Sequence, residues 1–173
     1  GASGQQDPLT QVSIGLNLNN PYPVDITGIL TLSFASDSFA VDPALQFVTG
    51  GRTATFTIPA NSTAAVFQNN SQQLRLQTGS VAGIITLTPS FALASNGVNI
   101  TPNSPNPASI SIPAKPPSVL ALETTSTLGS NTLNVLLTGS ATSRSISRVE
   151  LQFTAKPGSN LTNAQLSVDL AAV

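Results

Sequence analysis

The stretch from Gly50 to Phe67, GGRTATFTIPANSTAAVF, constrains the fold of this chain more than any other. From Arg52 to Ile58 the side chains alternate without a break, with Ala54, Phe56 and Ile58 on one side and Thr53, Thr55 and Thr57 on the other. A repeat of two is the pattern of a strand with one dry and one wet face, whereas an amphipathic helix repeats every ~3.6 residues. Pro59-Ala60-Asn61-Ser62 then stops the ladder, because Pro has no N–H to give and Asn and Ser bond their own backbone in turns. Thr63 to Phe67 resumes as a second short strand. The spacing predicts strand, tight turn, strand, which is the hairpin unit of an antiparallel sandwich.

The same grammar runs along the first two thirds of the chain. Gln11 to Leu18 alternates, with Val12, Ile14, Leu16 and Leu18 inward, and Pro21 and Pro23 end it. Asp25 to Phe34 is a second strand with Leu30, Leu32 and Phe34 inward, followed by a loop from Ala35 to Pro43. Ala44 to Val48 is a third, closed by Gly50-Gly51, where positive φ comes without steric cost. Beyond the polar loop Gln68 to Gln73, Leu74 to Gln77 and Val81 to Phe91 are further strands. Ser95-Asn96-Gly97 predicts a type I′ hairpin turn, and Ala108 to Ile112 closes the unit. Turn signals every ~8 to 12 residues are the rhythm of a β-sandwich. Gly1 in place of an initiator Met suggests a processed start, and Gly1 to Asp7 is expected as a disordered lead.

Pro113-Ala114-Lys115-Pro116-Pro117 reads as a stiff, extended connector. The expected organisation is therefore a sandwich over 8–112, a proline-rich linker over 113–118 and a second, truncated β unit over 119–173. In that unit Val119 to Thr125, Thr132 to Thr138, Ile146 to Ala155 and Ala164 to Leu170 are expected to form one four-stranded sheet, an incomplete sandwich. Its apolar face, led by Leu133, Val135, Val149, Leu151, Phe153, Leu166 and Val168, needs a cover. Because the connector resists a close fold-back, a homodimer through the second half is expected.

Composition excludes more than it selects. Only 8% of the 173 residues are charged, against about 25% in ordinary soluble domains, so Ser, Thr, Asn and Gln must carry solubility. That bias suits a secreted or surface-displayed protein. Six Lys and Arg without a cluster, at a net charge of −1, leave no footprint for nucleic acid. No apolar run reaches the ~18 to 20 residues of a membrane span. With no Cys and no His, the usual zinc, haem and iron–sulfur ligand sets and the His-based triads are missing, and no cofactor is expected.

Among the remaining candidates, Asp37 and Asp42 flank one loop and would offer two carboxylates to calcium, but six to eight oxygens are usual and no D-x-D-x-D run is present. They are expected as solvated loop acids. Tyr22, the only Tyr, is expected as a buried loop anchor, with glycan stacking as its alternative. Arg52, directly after Gly50-Gly51, would either read an anionic ligand or end an edge strand with a charge that discourages sheet-to-sheet pairing. Lys115 and Lys156 sit beside Pro in turn-like segments, too exposed for a Ser–Lys dyad. Asn61-Ser62-Thr63, Asn69-Asn70-Ser71, Asn99-Ile100-Thr101 and Asn160-Leu161-Thr162 match the glycosylation sequon, as chance allows in so Asn-, Ser- and Thr-rich a chain. No carboxylate spacing selects a glycosidase pair.

ITGILTLSF at Ile26 to Phe34, DPALQFVTGGRTATFTIPANSTAAVF at Asp42 to Phe67 and LQTGSVAGIITLT at Leu76 to Thr88 together resemble a bacterial immunoglobulin-like repeat module. The resemblance covers Val12 to Ile112, and F-T-I-P-A-x-S-T-x-A-V-F is its most specific part. The strand–turn–strand with its I-P-A turn is also distantly similar to Calx-β domains, whose acidic calcium clusters have no counterpart here. Ser140 to Leu170 resembles the opening of a second module of the same kind of protein. The resemblance implies an immunoglobulin-like sandwich in a large secreted or cell-surface bacterial protein. It further implies a spacer or adhesive role beside neighbouring modules and no catalytic residues. The alternative to a spacer is a binding module that recognises glycan or protein through the Asn19 to Val24 loop and the Asp37 to Asp42 loop.

Overall fold

The computed structural model describes residues 4–38, 41–126, 132–160, 162 and 164–170. The described strands, in chain order, are β1 (Gly4–Gln5), β2 (Gln11–Ile14), β3 (Ile26–Ser36), β4 (Leu45–Phe47), β5 (Thr53–Ile58), β6 (Leu74–Thr78), β7 (Gly83–Leu93) and β8 (Ala108–Ile112), then β9 (Ser118–Ser126), β10 (Leu133–Ser140), β11 (Arg148–Phe153) and β12 (Ala164–Asp169). A short 3₁₀ turn, Gln68–Asn70, is the one helical element among the described residues. No helix among them is long and apolar enough to cross a membrane. The chain divides into two compact units, Gly1–Lys115 and Pro116–Val173.

The first unit is a two-layer, all-β sandwich. One layer is a five-stranded sheet in the order β1-β8-β7-β3-β5, the other a three-stranded sheet in the order β2-β6-β4. The long antiparallel pair β3 and β7 forms the spine, in register from Ile26 opposite Leu93 to Ser36 opposite Gly83. Alternation sets which side is dry: Ile26, Leu30 and Leu32 of β3 are buried, while Thr31 and Ser33 between them are exposed. Ile85 and Leu87 of β7 and Ile110 and Ile112 of β8 continue that face. The smaller sheet answers with Ile14, Leu45, Phe47, Leu74 and Leu76, so both layers share one core. Fully burying a side chain of this size stabilises by about 1.5–3 kcal/mol.

Phe56 shows how closely the inner face is fitted. It lies in one row with Gly28 and Phe91 across β5, β3 and β7. Its ring meets Phe91 edge-on at 5.7 Å between centroids and Phe67 at 6.0 Å. A Cβ on Gly28 would lie 2.2 Å from the Phe56 ring and 2.3 Å from the Ser90 carbonyl oxygen. Only glycine leaves room for the ring here.

Three local expectations are corrected. Thr63 to Phe67 is no hairpin arm, because its bonds go to two places: Val66 bridges Thr57 at the β5 edge, while Thr63 and Ala65 bond Leu18 and Leu16. The segment thus stitches the edges of the two layers instead of extending one. Ser95-Asn96-Gly97 does not make a type I′ turn, since Gly97 but not Asn96 has positive φ. The hairpin closes one step wider, between Leu93 and Val98, with Asn96 Oδ1 accepting the Val98 N–H at 3.1 Å. Gly4 to Asp7, expected as a disordered lead, belongs to the fold through β1.

The second unit departs further from expectation. Its strands form two separate antiparallel ladders, β9 with β10 and β11 with β12, not one four-stranded sheet. β9 is exposed along its whole length. Val149, Leu151 and Phe153 alternate with exposed Arg148, Glu150 and Gln152 but are only half-buried. Thr142 is the sole buried side chain among the described residues of this unit.

Candidate functional site

Asp42, expected as a solvated acid, is 1% exposed. Its carboxylate is held by its own chain: the Ala44 N–H donates to Oδ1 at 3.0 Å, and the N–H groups of Ser80 and Val81 donate to Oδ2, the latter at 2.8 Å. The Ser80 hydroxyl adds a longer contact of 3.3 Å. Gly79 makes the approach possible, for a Cβ there would lie 2.5 Å from Oδ2. A carboxylate surrounded by N–H groups sees the positive ends of dipoles, the reverse of what a cation site offers. Asp42 therefore pins the loop before β4 onto the turn before β7, and buried carboxylates of this kind stand only when so bonded.

The other candidates scatter. Asp37 is exposed at the end of β3, and the Asp37 N–H donates to the Ala82 carbonyl. Arg52 donates from Nη2 to the Asp42 main-chain oxygen at 3.0 Å, so its guanidinium fastens the same loop. It also stands immediately before β5, on the sheet edge. Tyr22 corrects the buried-anchor expectation: its ring is 41% exposed, and the loop is tied by its main-chain oxygen, which accepts the Asn61 N–H at 2.7 Å. Lys115 pairs with Asp7 at 2.7 Å, both side chains largely exposed. No group of three or more His, Cys, Asp or Glu residues suited to a metal occurs among the described residues.

What sequence reasoning missed lies on the opposite side of the five-stranded sheet. Pleat parity puts Thr55 and Thr57 of β5, Thr27 and Ile29 of β3, and Ser90 and Ala92 of β7 on the face away from the core. Together they floor a groove of about 680 Å³, rimmed by Val66 to Gln68 on one side and by Asn99 and Thr101 on the other. The outer positions of β3, β5, β7 and β8 carry no ionisable side chain. The signal was present as a run of threonines at alternate positions, which read simply as a wet face.

Comparison with protein-family models, with curated proteins and with solved structures gives no match.

Proposed function

We propose that the chain is a non-enzymatic structural module, an immunoglobulin-like spacer within a larger extracellular bacterial protein, whose neighbouring modules are its partners. The observation that carries this reading is the sheet edge of the first unit. β1 runs parallel to β8, with Gly4 opposite Ile110 and Gln5 opposite Ser111, and the Gln6 N–H donates to the Ser111 carbonyl at 2.9 Å. The chain thus enters on β1 and leaves on β8 in the same direction along one edge. Tension applied across the unit would shear these bonds together instead of opening them one at a time. The Asp7–Lys115 pair lies beside the same seam. The low share of charge and the resemblance to bacterial immunoglobulin-like modules support the extracellular setting.

Stretching the full chain from its two ends by atomic force tests this. The first unit is expected to give way in one event at a force well above that of the second unit. Gln6→Pro, which removes the N–H to Ser111, should lower that force. Equal forces for the two units, or no effect of Gln6→Pro, would sink the spacer reading. The alternative, an adhesive module gripping glycan or protein through its loops, draws on exposed Tyr22 and Asp37, since Asp42 and Arg52 are turned to their own backbone. As a further partner we propose a second copy, docked two-fold on the apolar side chains of the second unit. Light scattering should find a dimer for the full chain and a monomer after a cut at Pro113; a strictly monomeric full chain at high micromolar concentration would rule it out.

A further inference from the structure

We propose that the open stretch of β5, Thr53 to Thr55, is a docking site on which an extended peptide of another protein adds as a further antiparallel strand. The ladder fixes which groups are open. The Leu32 N–H donates to the Arg52 carbonyl, and Thr57 exchanges both its main-chain bonds with Val66, so the even-numbered residues of β5 turn to β3 and the odd-numbered ones to the edge. The N–H and C=O groups of Thr53 and Thr55 therefore point away from the sheet and have no main-chain partner among the described residues. Such a row is matched by the main chain of another strand, which makes a polypeptide the occupant.

At other edges the chain closes its own ladder. β1 lies on β8, and on β4 the Leu45 and Phe47 N–H groups are taken by the Asp42 and Gly51 carbonyls. Val66 covers Thr57, but the strand it begins is cut short: the turn Gln68–Asn70 leads away with Asn69 and Asn70 at positive φ, and the Phe67 N–H goes to the Ser71 carbonyl. The usual guards of an edge are missing as well. Thr53–Ile58 holds neither charge nor Pro, and the guanidinium of Arg52 is drawn off to the Asp42 main-chain oxygen at 3.0 Å.

The open stretch borders a slot of about 230 Å³ whose lining includes Gln68, Thr49, Gly50 and the core side chains Ala54, Phe67 and Leu74. Three residues of extended chain, roughly 10 Å, run along it. By pleat alternation the middle one, opposite Ala54, turns to the core side, and its neighbours, opposite Thr53 and Thr55, turn to the wet face. The fitting sequence is thus one apolar residue between two polar ones. The same edge of a second copy fits less well, because its own Gln68 and Thr49-Gly50 flank the strand it would offer. β2 also leaves Gln11 and Ser13 open, but the cavity beside it is lined mostly by polar groups, Asn17, Gln72 and Gln73 among them, and gives no apolar seat.

The test is NMR titration of the full chain with the blocked peptide acetyl-Ser-Thr-Val-Thr-Ser-amide, whose valine falls opposite Ala54. With about four main-chain bonds and one apolar seat, the dissociation constant should be on the order of 1 mM. The Thr53 and Thr55 amide signals should shift saturably and exchange more slowly. Placing aspartate at the peptide's valine, or N-methylating its two threonine amides, should weaken binding by about tenfold or more. Thr55→Pro removes one edge N–H and leaves the bonds to β3 in place, so it should do the same at an unchanged urea midpoint. Should that variant lose stability, the N-methylated peptide decides. The proposal is overturned if no saturable shift appears by about 10 mM peptide, if either altered peptide binds as tightly as the parent, if stably folded Thr55→Pro binds unchanged, or if the shifts fall on Gln11 and Ser13 instead. It is equally overturned if Thr53 and Thr55 gain protection with protein concentration alone, which would assign the edge to a second copy.

Discussion

The two units use the same sequence device and reach different ends. In the first, alternating strands face a second layer, and residues such as Phe47, Leu76, Ile85 and Ile110 vanish from solvent. In the second, β11 and β12 alternate as cleanly, β9 and β10 carry the apolar runs Val119 to Leu122 and Val135 to Leu137, and each strand is laddered to its hairpin partner. Leu120 stays 68% exposed, Leu133 52% and Leu166 50%. A period of two specifies a strand and its faces, but burial requires a facing layer, and an isolated two-stranded ladder is marginal in water. Alternation is thus a local property and a core is a tertiary one.

Truncation of large apolar side chains should expose that difference most strongly. Phe56→Ala removes a ring packed on Phe67, Phe91 and Gly28 and should cost about 3–5 kcal/mol in urea unfolding, whereas Thr55→Ala beside it should stay within about 0.5 kcal/mol. Equal losses would mean that the assignment of faces is wrong. Asp42→Ala should follow at about 3 kcal/mol, because the Ala44, Ser80 and Val81 N–H groups lose their acceptor in a buried site. Asp42→Asn, which keeps an acceptor oxygen, should cost less; a loss below 1 kcal/mol for Asp42→Ala would show that water replaces the carboxylate freely. In the second unit Phe153→Ala should cost only about 1 kcal/mol, since its ring is half-buried. A loss as large as that of Phe56→Ala would show a core there. The smallest effect is expected from calcium. With Asp42 enclosed by N–H donors and Asp37 exposed apart from it, added calcium should leave the melting temperature unchanged; a rise of several degrees abolished by Asp37→Ala would contradict the account.

How far the chain could be read in advance follows from the range of the forces involved. β8 is found at Ala108–Ile112 as its alternation predicts, and the inward sets of β3, β5 and β7 are the apolar sets of the sequence. These depend on nearest neighbours. Thr63 to Phe67 was misread because its backbone bonds divide between β5 and Leu16 to Leu18, a choice made by partners about fifty residues away in sequence for the latter. Asp42 looked like a loop acid because nothing local announces that Ser80 and Val81 will bring N–H groups to it. The separation of β9–β10 from β11–β12 is likewise a pairing decision, which no single strand's pattern encodes. On the candidate site, Tyr22, Asp37, Asp42 and Arg52 stand out in the sequence as rare residue types. The groove, built from the commonest residues of the chain, could be seen only once strand register set the threonines side by side.

Amide hydrogen exchange, followed residue by residue in the full chain at low micromolar concentration, tests the contrast between the units most directly. Local stability should track burial and layer closure. The account predicts that β3 and β7 exchange only through global unfolding, while β9 to β12 exchange through far smaller openings and many times faster. Protection of β9 to β12 equal to that of β3 and β7 in a monomeric sample would contradict it, showing that the second unit carries a core of its own.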